Sequence, residues 1–243
     1  MLEAQKLGVN FFMQGGIGPE EWAQQLELSQ QYPEQIGLCF GLHPYWVIER
    51  DQEACEQGLD QLARALPQAM ALGEMGLDFR PHIMKESREL QIDIFESQIE
   101  LAEMAQKPMV LHLVQSHDIA WRVFDYFGVP SRKGLVHSFN GTWGQAEEYL
   151  KRGLFLSVGG PVARAQNNKL KEAVKRIPLE FLLLETDSPD QPPDRYKGQM
   201  NPLASLWEVA KTVGELRELD ALEVLKISKS NFQRLMKMDS HGN

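Results

Sequence analysis

Four side chains of the types that bind divalent metals stand at the downstream ends of short apolar runs. Glu74 closes Ala-Met-Ala-Leu-Gly-Glu from position 69, and His112 closes Met-Val-Leu-His from 109. His137 closes Gly-Leu-Val-His from 134, and Asp187 ends the run that begins at Phe181. Two carboxylates and two imidazoles delivered to one place make a divalent-metal site. Such a site neutralises charge on a reacting oxygen and lowers the pKa of bound water from about 15.7 to near 7, which is hydrolytic chemistry. Mixed nitrogen and oxygen donors suit Zn²⁺ or Mn²⁺, whereas a mainly oxygen-lined site suits Mg²⁺.

Each residue has a plainer alternative. An acid ending a strongly apolar run is costly to bury without a partner, which favours a ligand role for Glu74. His112 and His137 could be hydrogen-bonded core histidines, but their shared placement favours ligation. Asp187 could instead cap the turn at Ser188 and Pro189. His43, just before Pro44, serves either its loop or a site. Glu185 is read as structural, because strand alternation sets it apart from the ligand side. Asp78, four residues past Glu74, is expected to order its loop by hydrogen bonding. His82, His117 and His241 lack strand-end placement and read as surface residues.

Something must bring these distant positions together. Short apolar runs at 9–13, 36–41, 69–74, 108–113, 134–138, 154–158 and 181–186 read as buried strands. Amphipathic stretches at 19–32, 52–66, 87–106, 118–127, 145–152, 165–176, 203–217 and 222–236 read as helices between and after them. Pro19 followed by Glu20 and Glu21 suits a helix first turn. The stretch 87–106 places Leu90, Ile94, Ile99 and Leu101 on one face, with Phe95 and Met104 filling in, and needs no functional reading. The alternation predicts an α/β fold of the TIM-like (β/α) barrel type, whose strand C-termini form the reactive face. A closed barrel of this kind needs eight strands and seven are found, with residues 1–7 reading as the tail of a helix, so the first strand is expected to be missing. That leaves edges which another subunit would cover. The proline-rich loop 186–202 is longer than ordinary connections, which favours function.

Composition sets bounds. At 243 residues with a hydrophobic fraction of 43%, residues 1–243 are expected to form a single domain. A net charge of −9 argues against a broad basic surface gripping nucleic acid, but not against a phosphate substrate beside bound cations. The basic clusters at 132–133, 151–152 and 169–176 read as solvated faces. Cys39 and Cys55 form no motif and read as apolar fillers in a reducing compartment. No apolar stretch approaches the roughly 20 residues that span a bilayer, and no signal-peptide pattern opens the chain. A cytoplasmic protein with no membrane partner is expected.

Five segments carry a resemblance. Gly-Leu-His-Pro at 41–44, Gly-Glu-Met-Gly-Leu-Asp-Phe at 73–79, Pro-Met-Val-Leu-His at 108–112, Val-His-Ser-Phe-Asn-Gly at 136–141 and Leu-Leu-Glu-Thr-Asp-Ser-Pro at 183–189 occur in this order. In that order and over nearly the whole chain they resemble the TatD family, metal-dependent hydrolases on an amidohydrolase-like barrel, many of them deoxyribonucleases. The resemblance implies that Glu74 bridges two metals and that His112 and His137 ligate the second. It implies that Asp187 ligates the first and helps to activate its water, and that His43 contacts a substrate phosphate. Two departures stand out. The family's His-x-His pair on the first strand is absent, and an upstream coding start would place that pattern in the preceding in-frame DNA. The family's arginine two residues after the strand-five histidine is Val114 here.

The expected function is therefore a metal-dependent hydrolase of the TatD type, a deoxyribonuclease acting on DNA or another phosphodiester. Glu74 and Asp187 are its catalytic carboxylates, with one or two divalent ions (Mg, Mn or Zn) per chain. With Glu74, His112 and His137 complete but only Glu74 and Asp187 left for the other ion, one well-held metal and one weak or absent metal are expected. The competing readings are a catalytically impaired family member acting as a binding protein, and a hydrolase of a non-nucleic-acid ester or amide.

Overall fold

The computed structural model of the chain describes residues 2–84 and 86–238, so His241 lies outside the described residues. Among them, seven parallel strands follow one another in chain order. They are β1 Phe12–Gly15, β2 Ile36–Phe40, β3 Ala71–Asp78, β4 Met109–Val114, β5 Gly134–Val136, β6 Phe155–Val158 and β7 Leu182–Leu184. The fold consists of two compact units, one of Phe11–Leu135 and one of Met1–Asn10 with Val136–Asn243.

In the unit Phe11–Leu135, β1 pairs with β2 from Phe12↔Ile36, and β2 with β3 through Cys39↔Ala71. All five residues of β2 are buried, as expected for a parallel strand covered on both faces. The helix Pro19–Gln31 opens with Pro19, Glu20 and Glu21 as the sequence predicts. The helix Gln52–Ala65 starts at Asp51, whose carboxylate accepts the Ala54 N–H at 2.9 Å. The helix Arg88–Met104 packs on β3 and buries Ile94, Phe95, Ile99 and Ala102. Truncating a fully buried Phe such as Phe95 to Ala costs about 3–5 kcal/mol. Met104, expected on that face, is 80% exposed. Two glutamines of the same helix, Gln91 and Gln98, are buried.

In the other unit β6 and β7 pair in register from Leu156↔Leu182 to Val158↔Leu184. The helix Trp143–Lys151 begins with a reciprocal capping box between Thr142 and Gln145. The helix Ala221–Met236 fixes β7 by polar contacts. Asn231 Nδ2 donates to the carbonyls of Leu179 and Leu182, and the Ser228 hydroxyl accepts the Leu184 N–H at 2.9 Å.

All seven expected strands form, but three boundaries move in ways that matter. The strand holding Glu74 continues to Asp78, because the ladder runs on through Gly76↔His112 and Asp78↔Val114. Glu74 therefore lies inside β3, at a register shift between Leu72 and Met75, and not at its end. His112 is likewise internal to β4. Conversely, β5 stops at Val136 and β7 at Leu184, which puts His137 and Asp187 in the turns beyond. Short helices at Pro44–Val47 and Pro81–Met84 were not expected.

Candidate active site

Three of the predicted residues meet in the unit Phe11–Leu135. His43, Glu74 and His112 bring one ligand atom each within 4.8 Å of one another. A bulge re-aims side chains out of the strand's regular alternation, and the one at Gly73 and Glu74 exposes the Glu74 carboxylate while its strand neighbours stay buried. Gly15 at the end of β1 makes room: a Cβ there would collide with Glu74 Oε1.

The hydrogen bonds assign different jobs to the two histidines. Pro44 opens the helix Pro44–Val47 and has no N–H, so the first donor of that turn belongs to Tyr45. The Tyr45 N–H donates to His43 Nδ1 at 3.0 Å. An imidazole accepting at Nδ1 carries its proton on Nε2. His43 Nε2 faces Glu74 Oε2 at 3.7 Å, and with its lone pair committed at Nδ1 it is a proton donor there and not a metal ligand.

His112 is arranged the other way. Its Nε2 lies 3.4 Å from Asp78 Oδ2, and its Nδ1 faces Glu74 Oε2 at 4.0 Å. Burial works to raise the Asp78 carboxyl, but the bonds from His112 and Arg80 outweigh it and hold it well below the usual carboxylate range. An ionised carboxylate at Nε2 draws the proton to that nitrogen and leaves the Nδ1 lone pair toward Glu74. A histidine ligand oriented by a carboxylate on its far nitrogen is a recurring metal-site arrangement. The donor set thus fits a divalent ion held by Glu74 and His112, with His43 donating beside it.

Two buried glutamines keep this geometry in place. Gln98 accepts the Leu42 N–H at 2.8 Å and donates to the Leu42 carbonyl at 3.1 Å, next to His43. Gln91 accepts the Asp78 N–H at 2.8 Å and donates to the Asp78 carbonyl at 3.3 Å. Each amide satisfies backbone groups that would otherwise be buried without partners.

The unit containing Val136–Asn243 gathers His137, Glu185 and Asp187 into a second group of potential ligands. His137 Nδ1 lies 3.8 Å from Glu185 Oε1, the same oxygen that accepts the Ser138 N–H at 2.5 Å. Burial, partly offset by His137, holds the Glu185 carboxyl above its usual value. Glu185, read from the sequence as structural, thus stands among the ligand candidates. Strand alternation does not apply to it because β7 has already ended.

Asp187 takes a left-handed backbone, φ 60°, a conformation non-glycine residues hold where the surrounding structure enforces it. The turn that follows is closed by backbone and by a neighbour: the Asp190 N–H donates to the Asp187 carbonyl, and the Ser188 N–H to Thr186 Oγ1. Among the described residues, the bonds that close this turn do not use the Asp187 carboxylate. The long loop after it is pinned by Asn201, 1% exposed, whose Nδ2 donates to the carbonyls of Thr186 at 2.6 Å and Asp190 at 2.8 Å. The Ser188 hydroxyl returns a bond to the Asn201 carbonyl at 2.7 Å.

Comparison with known proteins gives a consistent result. A sequence model of the family described as TatD related DNase matches residues 1–237. The uncharacterized metal-dependent hydrolase YabD of Bacillus subtilis is 31% identical over 88% of this chain and 82% of its own length. The 3'-5' ssDNA/RNA exonuclease TatD of Erwinia tasmaniensis is 30% identical over 97% of this chain and 91% of its own. The crystal structure of YjjV, a TatD homologue from Escherichia coli, superposes with a TM-score of 0.89 at 29% identity, over 98% of this chain and 90% of that one. The parallel strands interleaved with helices are the α/β fold of the TIM-like barrel class that the sequence predicts.

Proposed function

Because the chain belongs to the TatD related DNase family and is a metal-dependent hydrolase, we propose that it cleaves phosphodiester bonds in single-stranded nucleic acid, DNA in the first place. The observation that carries this reading is the meeting of His43 and His112 at Glu74 with opposite ring nitrogens engaged, Nδ1 of His43 by the Tyr45 N–H and Nε2 of His112 by Asp78. A phosphodiester needs a charge-neutralising centre and a nearby donor for its oxygens, and this pairing offers both. A relative named as a single-stranded DNA and RNA exonuclease supports the substrate class.

Glu74 and His112 hold metal, and Asp78 fixes the His112 tautomer. His43 donates its Nε2 proton to a phosphoryl oxygen. In this reading His137 and Asp187, with Glu185 beside them, are the other ligand group, and Asp187 accepts a proton from an attacking water. A bound divalent ion, Mn²⁺, Zn²⁺ or Mg²⁺, supplies neutralisation of phosphoryl charge and a water that ionises near neutral pH. The ion count, one or two, follows from how many of these ligands are engaged. Since the family match runs unbroken through residues 1–237, the chain is proposed to work as one domain.

No helix among the described residues is long and apolar enough to cross a membrane. Cys39 and Cys55 are buried and unbridged, which supports a reducing, cytoplasmic setting. A substrate panel tests the reading: single-stranded DNA, single-stranded RNA, bis-p-nitrophenyl phosphate, p-nitrophenyl acetate and an anilide, each with Mn²⁺ or with EDTA. Mn²⁺-dependent turnover confined to the phosphodiesters is expected. Turnover of only the ester or the anilide would reassign the substrate class.

A further inference from the structure

Val114 stands two residues past His112, so β4 carries no cation there. Arg80, just past the end of β3, sits against the same group. Its Nε bonds both oxygens of Asp78 at 3.0 and 3.1 Å, and its Nη2 bonds Asp78 Oδ2 and the Tyr45 hydroxyl. That same Asp78 Oδ2 is the oxygen 3.4 Å from His112 Nε2. The Tyr45 ring meets the His43 ring edge-on at 4.6 Å and lies 6.0 Å from that of His112. The guanidinium is thereby fixed by two residues, Asp78 and Tyr45, that themselves touch the site's histidines.

One edge of it is left over. A guanidinium has five N–H donors, and Nη1 has no partner among the described residues. The side chain is 32% exposed, while Asp78 is 0% exposed. An arginine immobilised on one edge and open on the other binds an anion without further loss of side-chain freedom. On a chain of net charge −9, a held cation is also what local attraction of a polyanion requires. We propose that Arg80 is the phosphate-binding cation of this site, with Nη1 donating to a non-bridging oxygen of the nucleic-acid backbone. The role rests on the phosphodiester reading above and names a residue that reading did not use.

The test separates binding from cleavage. Mn²⁺-loaded protein is titrated into a fluorescein-labelled phosphorothioate oligodeoxynucleotide, which resists hydrolysis, over a series of salt concentrations. Arg80→Gln is expected to weaken binding about tenfold at low salt and to reduce the log–log salt slope by about 0.7, the value for one single-strand phosphate contact. Arg80→Lys keeps a cation against Asp78, and so the fold. Its single ammonium is taken up by that carboxylate, so the same loss of affinity is expected. Wild-type affinity and slope in either folded variant, or no oligonucleotide binding by the wild type, overturns the proposal. Arg80-dependent binding without cleavage of unmodified DNA would keep Arg80 as an anion site while refuting the nuclease reading.

Discussion

Asp78 Oδ2 sits 3.4 Å from His112 Nε2, and this contact decides which nitrogen of the imidazole faces Glu74. Oriented ligands of this kind typically lose about 10–100-fold in metal affinity when the orienting carboxylate is changed. Asp78→Asn is therefore expected to weaken Mn²⁺ binding by about that factor, read by titration calorimetry at neutral pH. An unchanged dissociation constant would mean that His112 does not depend on Asp78.

The same carboxylate gives a pH signature. Its folded pKa lies well below the usual carboxylate value, so its ionised form stabilises the fold. That contribution is complete above the unfolded value, about 3.9, and is lost as pH falls toward the lower folded value. Denaturant unfolding of wild type and Asp78→Asn should show a stability difference that is constant from neutral pH down to about pH 4 and shrinks below it. A difference already gone at mildly acidic pH would contradict the assignment.

Gln98 is expected to support His43 from behind. Gln98→Leu removes both partners of the Leu42 backbone, and each unsatisfied buried group costs about 1–3 kcal/mol. Equilibrium unfolding should show a loss of that order. Oligonucleotide cleavage should fall by more than the unfolded fraction accounts for, because the backbone at Leu42 carries His43. A loss of stability with undiminished turnover by the folded fraction would confine Gln98 to structure.

Gly15→Ala probes the close approach of β1 to Glu74. A methyl at that position meets Glu74 Oε1, so the carboxylate must move. Metal affinity should drop about tenfold or more, as for other changes that disturb ligand orientation, with thermal unfolding of the metal-free protein little altered. Equal metal affinity would show that the carboxylate has slack.

What the sequence made legible was local. Glu74, His112, His137 and Asp187 stood out because a polar ligand type closing an apolar run is conspicuous against its neighbours. The seven strands were legible for the same reason. Glu185 was hidden because alternation was carried past Leu184, where β7 has ended. Gln91 and Gln98 were hidden because glutamine in an amphipathic helix reads as a solvated face; only the approach of that helix to Leu42 and Asp78 turns them inward. The His43 tautomer had one readable cue, Pro44, which removes a donor and leaves Tyr45 to supply it. Arg80 had none, since its partners Asp78 and Tyr45 lie on different elements.

The most direct measurement is cleavage of an end-labelled single-stranded DNA by wild type and by Glu74→Gln, purified side by side, with Mn²⁺ and with EDTA. Glu74 is the one carboxylate of the His43–Glu74–His112 group, and the amide keeps its shape while removing the charge proposed to hold metal. Wild-type cleavage that requires Mn²⁺, with loss of about a hundredfold or more in Glu74→Gln, is the predicted result. Equal cleavage by the two proteins, or cleavage that persists in EDTA, would contradict a metal-dependent hydrolase built on Glu74.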